Sequence, residues 1–264
     1  MYYRMFAKVY GFVGRFNDLV MVNSNWTYNH VSTIFGMRKR DKIRIVFPPC
    51  DLEELVSIGD RKEGRRKGLI VSVGQFRPEK NHLLQFYTLK ELLLKNKDNS
   101  LIQKVQLVVI GGTRNAEDRR RAEHLRKLAV DLGVDQHCEI IVNAPRSTVL
   151  DYLGKASIGI HTMRDEHFGI SVVELMAAGL ITVAHNSGGV CCDIIQDGVN
   201  GFLAERMEGY VEKLEYVLGG MREETGERIR RNARESIKRF GSERFSKEFV
   251  GIVGKAMDRV NSHC

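Results

Sequence analysis

From residue 69 onward, short apolar runs alternate with longer stretches of helical periodicity. Leu69–Val73, Val105–Ile110, Glu139–Val142, Ile158–His161 and Ile181–Ala184 read as strands, with a weaker one at Gly201–Leu203. Asn81–Lys97, Ala116–Leu132, Ser147–Ala156 and Ile170–Ala178 read as the helices between them. Strands that alternate with helices predict an α/β fold, a parallel sheet covered by helices on both faces. In such sheets ligands bind beyond the carboxyl ends of the strands, so the residues that follow each strand carry the functional reading.

The flanks have a different pattern. Residues 1–60 combine a helical pattern, the apolar run Leu19–Val22 and a stop at Pro48-Pro49, which reads as the end of another domain and a linker. After Gly201 the chain turns helical and charged, through Glu205–Arg239 and Ser242–Val260. The boundaries are then 1–60, 61–240 for the sheet unit and 241–264 for a last helix. No apolar run is long enough to span a bilayer. The opening MYYRMFAKVYGFVGRF lacks the apolar core and small-residue cleavage site of a signal peptide. It alternates aromatics with Arg4, Lys8 and Arg15, which fits a helix packed on a partner domain or, as the second reading, a membrane-surface helix.

A net charge of +8 favours anionic partners. The basic clusters Arg38-Lys39-Arg40, Arg61 to Lys67 and Arg119-Arg120-Arg121 read most simply as solvated faces. No aromatic–basic interleaving or known binding module supports nucleic acid. Phosphorylated substrates and anionic lipid head groups account for the charge equally well. The five cysteines, Cys50, Cys138, Cys191, Cys192 and Cys264, show no CxxC spacing. That argues against a disulfide framework or a zinc site and for a reducing compartment.

Glu166 and Glu174 stand eight positions apart in EHFGISVVE. The first falls in the loop that feeds a helix, the second about a turn inside it, so both can face one cleft. Gly169 between them lets the backbone come close to a ligand at the helix start, where free N–H groups and a partial positive charge suit a diphosphate. Strand Leu69–Val73 ends in Gly74-Gln75-Phe76-Arg77-Pro78-Glu79-Lys80-Asn81, which is not GxGxxG and disfavours a nicotinamide or flavin site. It places Arg77 and Lys80 on a tight loop, as phosphate ligands or as charges paired with nearby acids. Gly111-Gly112 reads as a tight turn or a ligand approach, and Asn143-Ala144-Pro145 as a loop able to meet a nucleobase through its backbone. Among His161, His167 and His185, His167 beside Glu166 is the better functional candidate. Asn186-Ser187-Gly188-Gly189 reads as an anion-binding loop or an ordinary glycine turn.

GQFRPEKN, EHFGISVVE, AAG and HNSGG occur in the order and spacing of the retaining GT-B glycosyltransferases of family four, and the chain resembles their nucleotide-binding half. The longer strings VMVNSNWTYNHV, FPPCD, VSVGQFRPEKNHLLQ, IGIHTMRDEHFGISVVELMAAG and AHNSGG resemble the family's α-1,2-mannosyltransferases of dolichol-linked oligosaccharide synthesis. The resemblance implies a Rossmann-like domain at 61–240, preceded by the end of an N-terminal acceptor domain and followed by a helix that crosses back to it. It implies GDP-mannose as donor, a dolichol-diphosphate-linked oligosaccharide as acceptor and the cytosolic face of the endoplasmic reticulum membrane as the place. It leaves room for other mannosyltransferases of the pathway as partners, and implies neither nucleic acid, metal nor other cofactor. Arg77 and Lys80 would neutralise the leaving diphosphate, Glu174 would bind the ribose and Glu166 the donor mannose. Gly74, Asn143, His167 and the backbone of Phe168, Gly169 and Ile170 would complete the donor site. Because one domain and only the end of another are expected, a noncatalytic nucleotide-sugar-binding fragment is the alternative.

Overall fold

The computed structural model describes residues 2–36, 42–59 and 65–261. Arg38-Lys39-Arg40, residues 61–64 of the second basic cluster and Cys264 lie outside them.

The first part of the chain forms α1 (Tyr2–Gly14), β1 (Val20–Val22), α2 (Asn25–Phe35), β2 (Ile43–Ile45) and α3 (Glu53–Gly59). β1 and β2 pair in parallel as a small sheet of their own. The larger unit runs β3 (Leu69–Val73), α4 (His82–Lys95), β4 (Gln106–Gly111), α5 (Ala116–Leu132), β5 (Cys138–Val142), α6 (Arg146–Lys155), β6 (Ile158–His161), α7 (Ile170–Ala177), β7 (Ile181–His185) and β8 (Phe202–Ala204). Then follow α8 (Met207–Glu215), α9 (Glu223–Ile237) and α10 (Ser242–Asn261).

The large sheet has six strands in the order β5-β4-β3-β6-β7-β8, all parallel. The order reverses between β3 and β6, and such a switch point opens a crevice beyond the carboxyl ends of those two strands. Side chains alternate across each strand. Ile70, Leu107, Val109 and Ile160 face one core with Phe86, Leu125 and Tyr210. Leu69, Val71, Val108 and Ile110 face the other with Leu153, Val172 and Ile237. Burial on both faces is why these strands are continuous apolar runs.

The predicted strands and helices of the sheet unit are present, with ends moved by a residue or two. α4 starts at His82 because Asn81 is left-handed (φ 50°). The stretch Glu205–Arg239 is two helices, separated by a wider turn at Tyr216–Gly220 that ends in Gly219-Gly220. β2 and α3 were not anticipated. Arg65 is not a solvated charge. Its guanidinium donates to the carbonyls of Gly59, Ala156, Ala178 and Gly179, at or just past the C-terminal ends of α3, α6 and α7. Carbonyls at helix ends carry partial negative charge, so one arginine ties three helices together. Burial first, then Arg230 and Arg234, push this guanidinium down to about 10.

The first part docks on the larger unit beside the crevice. Ser24 caps α2 by accepting from the Thr27 N–H at 3.0 Å. Asn25 donates its backbone N–H and its side-chain amide to Asp193 at 2.9 and 2.5 Å. Phe47, Phe168 and Phe240 form an aromatic triangle with centroids 5.1 to 5.8 Å apart. The Cys50 N–H donates to the Phe240 carbonyl at 2.9 Å, so the chain leaves the sheet unit beside its linker. α10 then lines a groove of about 1620 Å³ whose opposite wall includes Leu19, Ile45 and Phe47. α1 leaves Tyr2, Tyr3, Phe6, Tyr10 and Phe12 exposed. Among the described residues no helix is long and apolar enough to cross a membrane.

Candidate functional site

The crevice is built by the loops after β3 and β6, and buried polar contacts hold the two together. Thr162, 1% exposed, donates its hydroxyl to the carbonyls of Lys80 and Asn81 at 2.9 and 3.0 Å. Gln85, on the buried side of α4, bonds both the Thr162 and the Ser72 hydroxyls at 2.9 Å. The Tyr210 hydroxyl donates to the His161 carbonyl at 2.8 Å. Ends of strands far apart in sequence are thereby locked in register.

This frame brings Lys80 to Glu166, with Nζ 2.5 Å from Oε2. Both side chains are largely buried, at 21% and 14% exposure, so the pair is shielded from water. Burial alone would raise the Glu166 carboxyl, but hydrogen bonds and charge from His161 and Lys80 bring it down to about 2. The His161 contact comes first among these causes, followed by the hydrogen bond and charge of Lys80. The His161 Nε2 contact is 3.5 Å, and burial holds that imidazole below its ordinary range and therefore neutral.

Glu174 lies one turn into α7. Its carboxylate makes no hydrogen bond or ion pair among the described residues, and burial raises it, partly offset by Arg146. Cys50 lies close by, and burial and the Glu174 charge push its thiol up to about 12. Gly169 starts α7 with φ 114°, where a Cβ would meet Val190 at 2.9 Å. Among the described residues no side chain caps this helix, which leaves its first N–H groups for a partner in the crevice.

The other candidates fall into place unevenly. Arg77, 39% exposed, pairs with its neighbour Glu79, so both cations of the loop sit in ion pairs. Gly74 lies beside the Lys80 stem, and its carbonyl comes so close to Gly111 that only glycine fits there. Asn143 is left-handed, with φ 55°. Its amide accepts from the Thr113 N–H at 2.8 Å and donates to the Thr113 hydroxyl at 3.0 Å, which joins the loops after β4 and β5. Phe168 is a core side chain, leaving its backbone for any ligand, while Ile170 is exposed. His167 is exposed and packs edge-on against Trp26 of α2. His161 is sealed below Glu166, and His185 contacts the Ser187 hydroxyl at 2.9 Å.

Gly188 and Gly189 answer to packing. A Cβ on either would collide with the backbone of Glu166 or His167, and the Gly189 N–H is donated to the Glu166 carbonyl at 2.7 Å. Ser187 accepts from the Asp165 N–H at 2.7 Å. This loop braces the Glu166 loop. Thr162, Gln85 and Tyr210 were not singled out from sequence, and Asn25 and Trp26 stand out there only as a glycosylation sequon, Asn25-Trp26-Thr27. Gln85 carried a signal, as a polar residue on the apolar stripe of a helix.

The fold is shared with solved glycosyltransferases. The family of group 1 glycosyl transferases matches residues 58–236, and the chain belongs to it. The family defined by the ALG11 mannosyltransferase N-terminus matches residues 1–35. The human protein named GDP-Man:Man(3)GlcNAc(2)-PP-Dol alpha-1,2-mannosyltransferase is 44% identical over 259 residues, covering 97% of this chain and 52% of its own length. The Dictyostelium discoideum protein of the same name is 42% identical, covering 96% of this chain and 50% of its own. The chain thus spans about half the length of the curated relatives it matches. A glycosyltransferase from Rickettsia africae ESF-5 superposes with a TM-score of 0.80 at 18% identity, over 96% of this chain and 67% of that one. Sucrose-phosphate synthase from Thermosynechococcus elongatus gives 0.75 at 15%, over 97% and 62%. At these identities the likeness is one of fold.

Proposed function

We propose that this chain is the donor-binding half of a retaining α-1,2-mannosyltransferase that moves mannose from GDP-mannose to a dolichol-diphosphate-linked oligosaccharide. The names of its relatives support the donor and acceptor. The observation that carries the reading is the convergence of Lys80, Glu166 and the start of α7 at the switch point, with Glu174 one turn further on. In this reading Glu174 accepts from ribose hydroxyls, Glu166 touches the mannose, and the N–H groups of Gly169 and Ile170 meet the diphosphate. Arg77, Lys80 and that helix start supply positive charge where the leaving diphosphate develops negative charge, the work a metal does elsewhere. Gly74 and Asn143 shape the floor of the site, and His167 its rim. The place of action is the cytosolic face of the endoplasmic reticulum membrane, with other enzymes of the pathway as partners.

Calorimetric titration with GDP, GDP-mannose and UDP, with and without EDTA, tests this. Saturable, metal-independent binding that favours GDP-mannose is expected, and Arg77→Ala or Lys80→Ala should weaken it by about 1.5–3 kcal/mol. Equal affinity in wild type and both variants overturns the assignment. The share of its relatives that the chain covers favours a second reading, donor binding without transfer. Labelled GDP-mannose with dolichol-linked trimannosyl acceptor in detergent decides it: elongation supports the full activity, and binding alone supports the second.

A further inference from the structure

His161 is unexplained by the roles above. It is 4% exposed, and neither Nδ1 nor Nε2 reaches a hydrogen-bond partner at normal distance among the described residues. Buried polar atoms without partners are rare and costly, so this one needs a reason. The nearest acceptor is Glu166 Oε2, 3.5 Å from Nε2. That same oxygen holds Lys80 at 2.5 Å. Lys80 therefore has two claims on it: Glu166 and, on the donor reading, a diphosphate.

We propose that His161 is a positioning residue for Glu166, the fixed donor that holds its carboxylate toward the sugar when Lys80 turns to the diphosphate. The inference rests on the donor reading given above. Three features of the structure support it. The His161 backbone is pinned by Tyr210 through its carbonyl, so the imidazole is a rigid stop beneath the loop. A short relaxation of the Glu166 side chain closes 3.5 Å to hydrogen-bond length once Lys80 no longer pulls it the other way. The charged and titratable groups around the ring are Lys80, Glu166, His82 and His185. Only Glu166 among them is an anion, so Nε2 carries its proton toward that carboxylate and Nδ1 is left as a bare acceptor in the core. Burial first, and the Lys80 ammonium with it, keep the ring neutral against the pull of Glu166, and it donates a hydrogen bond without adding a second cation beside the donor.

The test has two parts. Nitrogen NMR on the histidine-labelled chain, with His161 assigned by its loss in His161→Gln, should show a neutral Nε2–H tautomer whose resonance shifts in Glu166→Gln. In calorimetry, His161→Leu should lower affinity for GDP-mannose on the order of tenfold while GDP stays within about twofold, because Glu166 serves the sugar alone. His161→Gln, which carries an N–H near the Nε2 position, should restore most of the loss. His161→Asn replaces the leucine variant if that does not fold, being polar but too short to reach. An Nδ1–H tautomer overturns the proposal, as does equal loss of GDP and GDP-mannose, the mark of a merely structural residue. Failure of the wild-type chain to bind either nucleotide refutes the donor reading instead, and the tautomer measurement still decides the contact.

Discussion

Trp26 meets His167 edge to face, with ring centroids 5.3 Å apart, and this contact joins the first part of the chain to the loop that carries Glu166. The Asn25–Asp193 hydrogen bonds lie beside it. Trp26→Ala should cost about 0.5–1.5 kcal/mol beyond its lost burial. Faster amide exchange should appear in both α2 and residues 166–170. Hydrogen exchange followed by mass spectrometry checks this; faster exchange in α2 alone means that the contact does not steady the loop.

Acid should weaken the fold earlier than its carboxylates alone require. His82 is buried against Phe76, and burial, then Lys80 and His161, hold its imidazole down at about 4 against an ordinary 6.5. The folded chain then binds fewer protons than the unfolded one in that range. Stability is full above about 6.5, declines as pH falls from there to about 4, and loses nothing more from this group below. Thermal midpoints between pH 8 and 4 should show that slope, and His82→Phe should flatten it. An unchanged slope assigns the loss to other groups.

Arg65→Ala should be severe. It strips charged donors from carbonyls at three helix ends, with an expected cost of roughly 2–3 kcal/mol. Arg65→Lys should recover only part, since an ammonium cannot span the same fork of carbonyls. Urea denaturation measures both.

Gly169→Ala separates backbone strain from chemistry. At φ 114° and against Val190 the methyl forces α7 to start differently, at about 1–3 kcal/mol. Donor affinity should fall with it, although no side chain that meets the donor has changed. Calorimetry beside a thermal scan checks both; unaltered affinity would mean that the start of α7 does not hold the diphosphate.

Much of this molecule is legible in its residues because burial on both sheet faces writes uninterrupted apolar strands. β2 escaped notice because Ile43-Arg44-Ile45 is short and carries a charge. The loops of the site are legible from their position after strands. What is not legible is which loop meets which: the Lys80–Glu166 pair depends on β3 lying beside β6, a fact of strand order. Gly188 and Gly189 look like an anion cradle in sequence, because smallness demanded by a ligand and smallness demanded by a neighbouring backbone leave the same letters. Arg65 misleads in the same way, since a basic run gives no sign of which member turns inward.

The strand order also sets when the site can come into being. β3, β4 and β5 are consecutive neighbours and can pair as they leave the ribosome, whereas β6 must return past them to the far side of β3. Until it does, Lys80 has no carboxylate opposite it and Thr162 has nothing to clasp. On the proposed donor reading, nucleotide binding should therefore arise late in synthesis, after the first three strands are already protected, and a chain halted before β6 should be ordered in part yet bind no nucleotide.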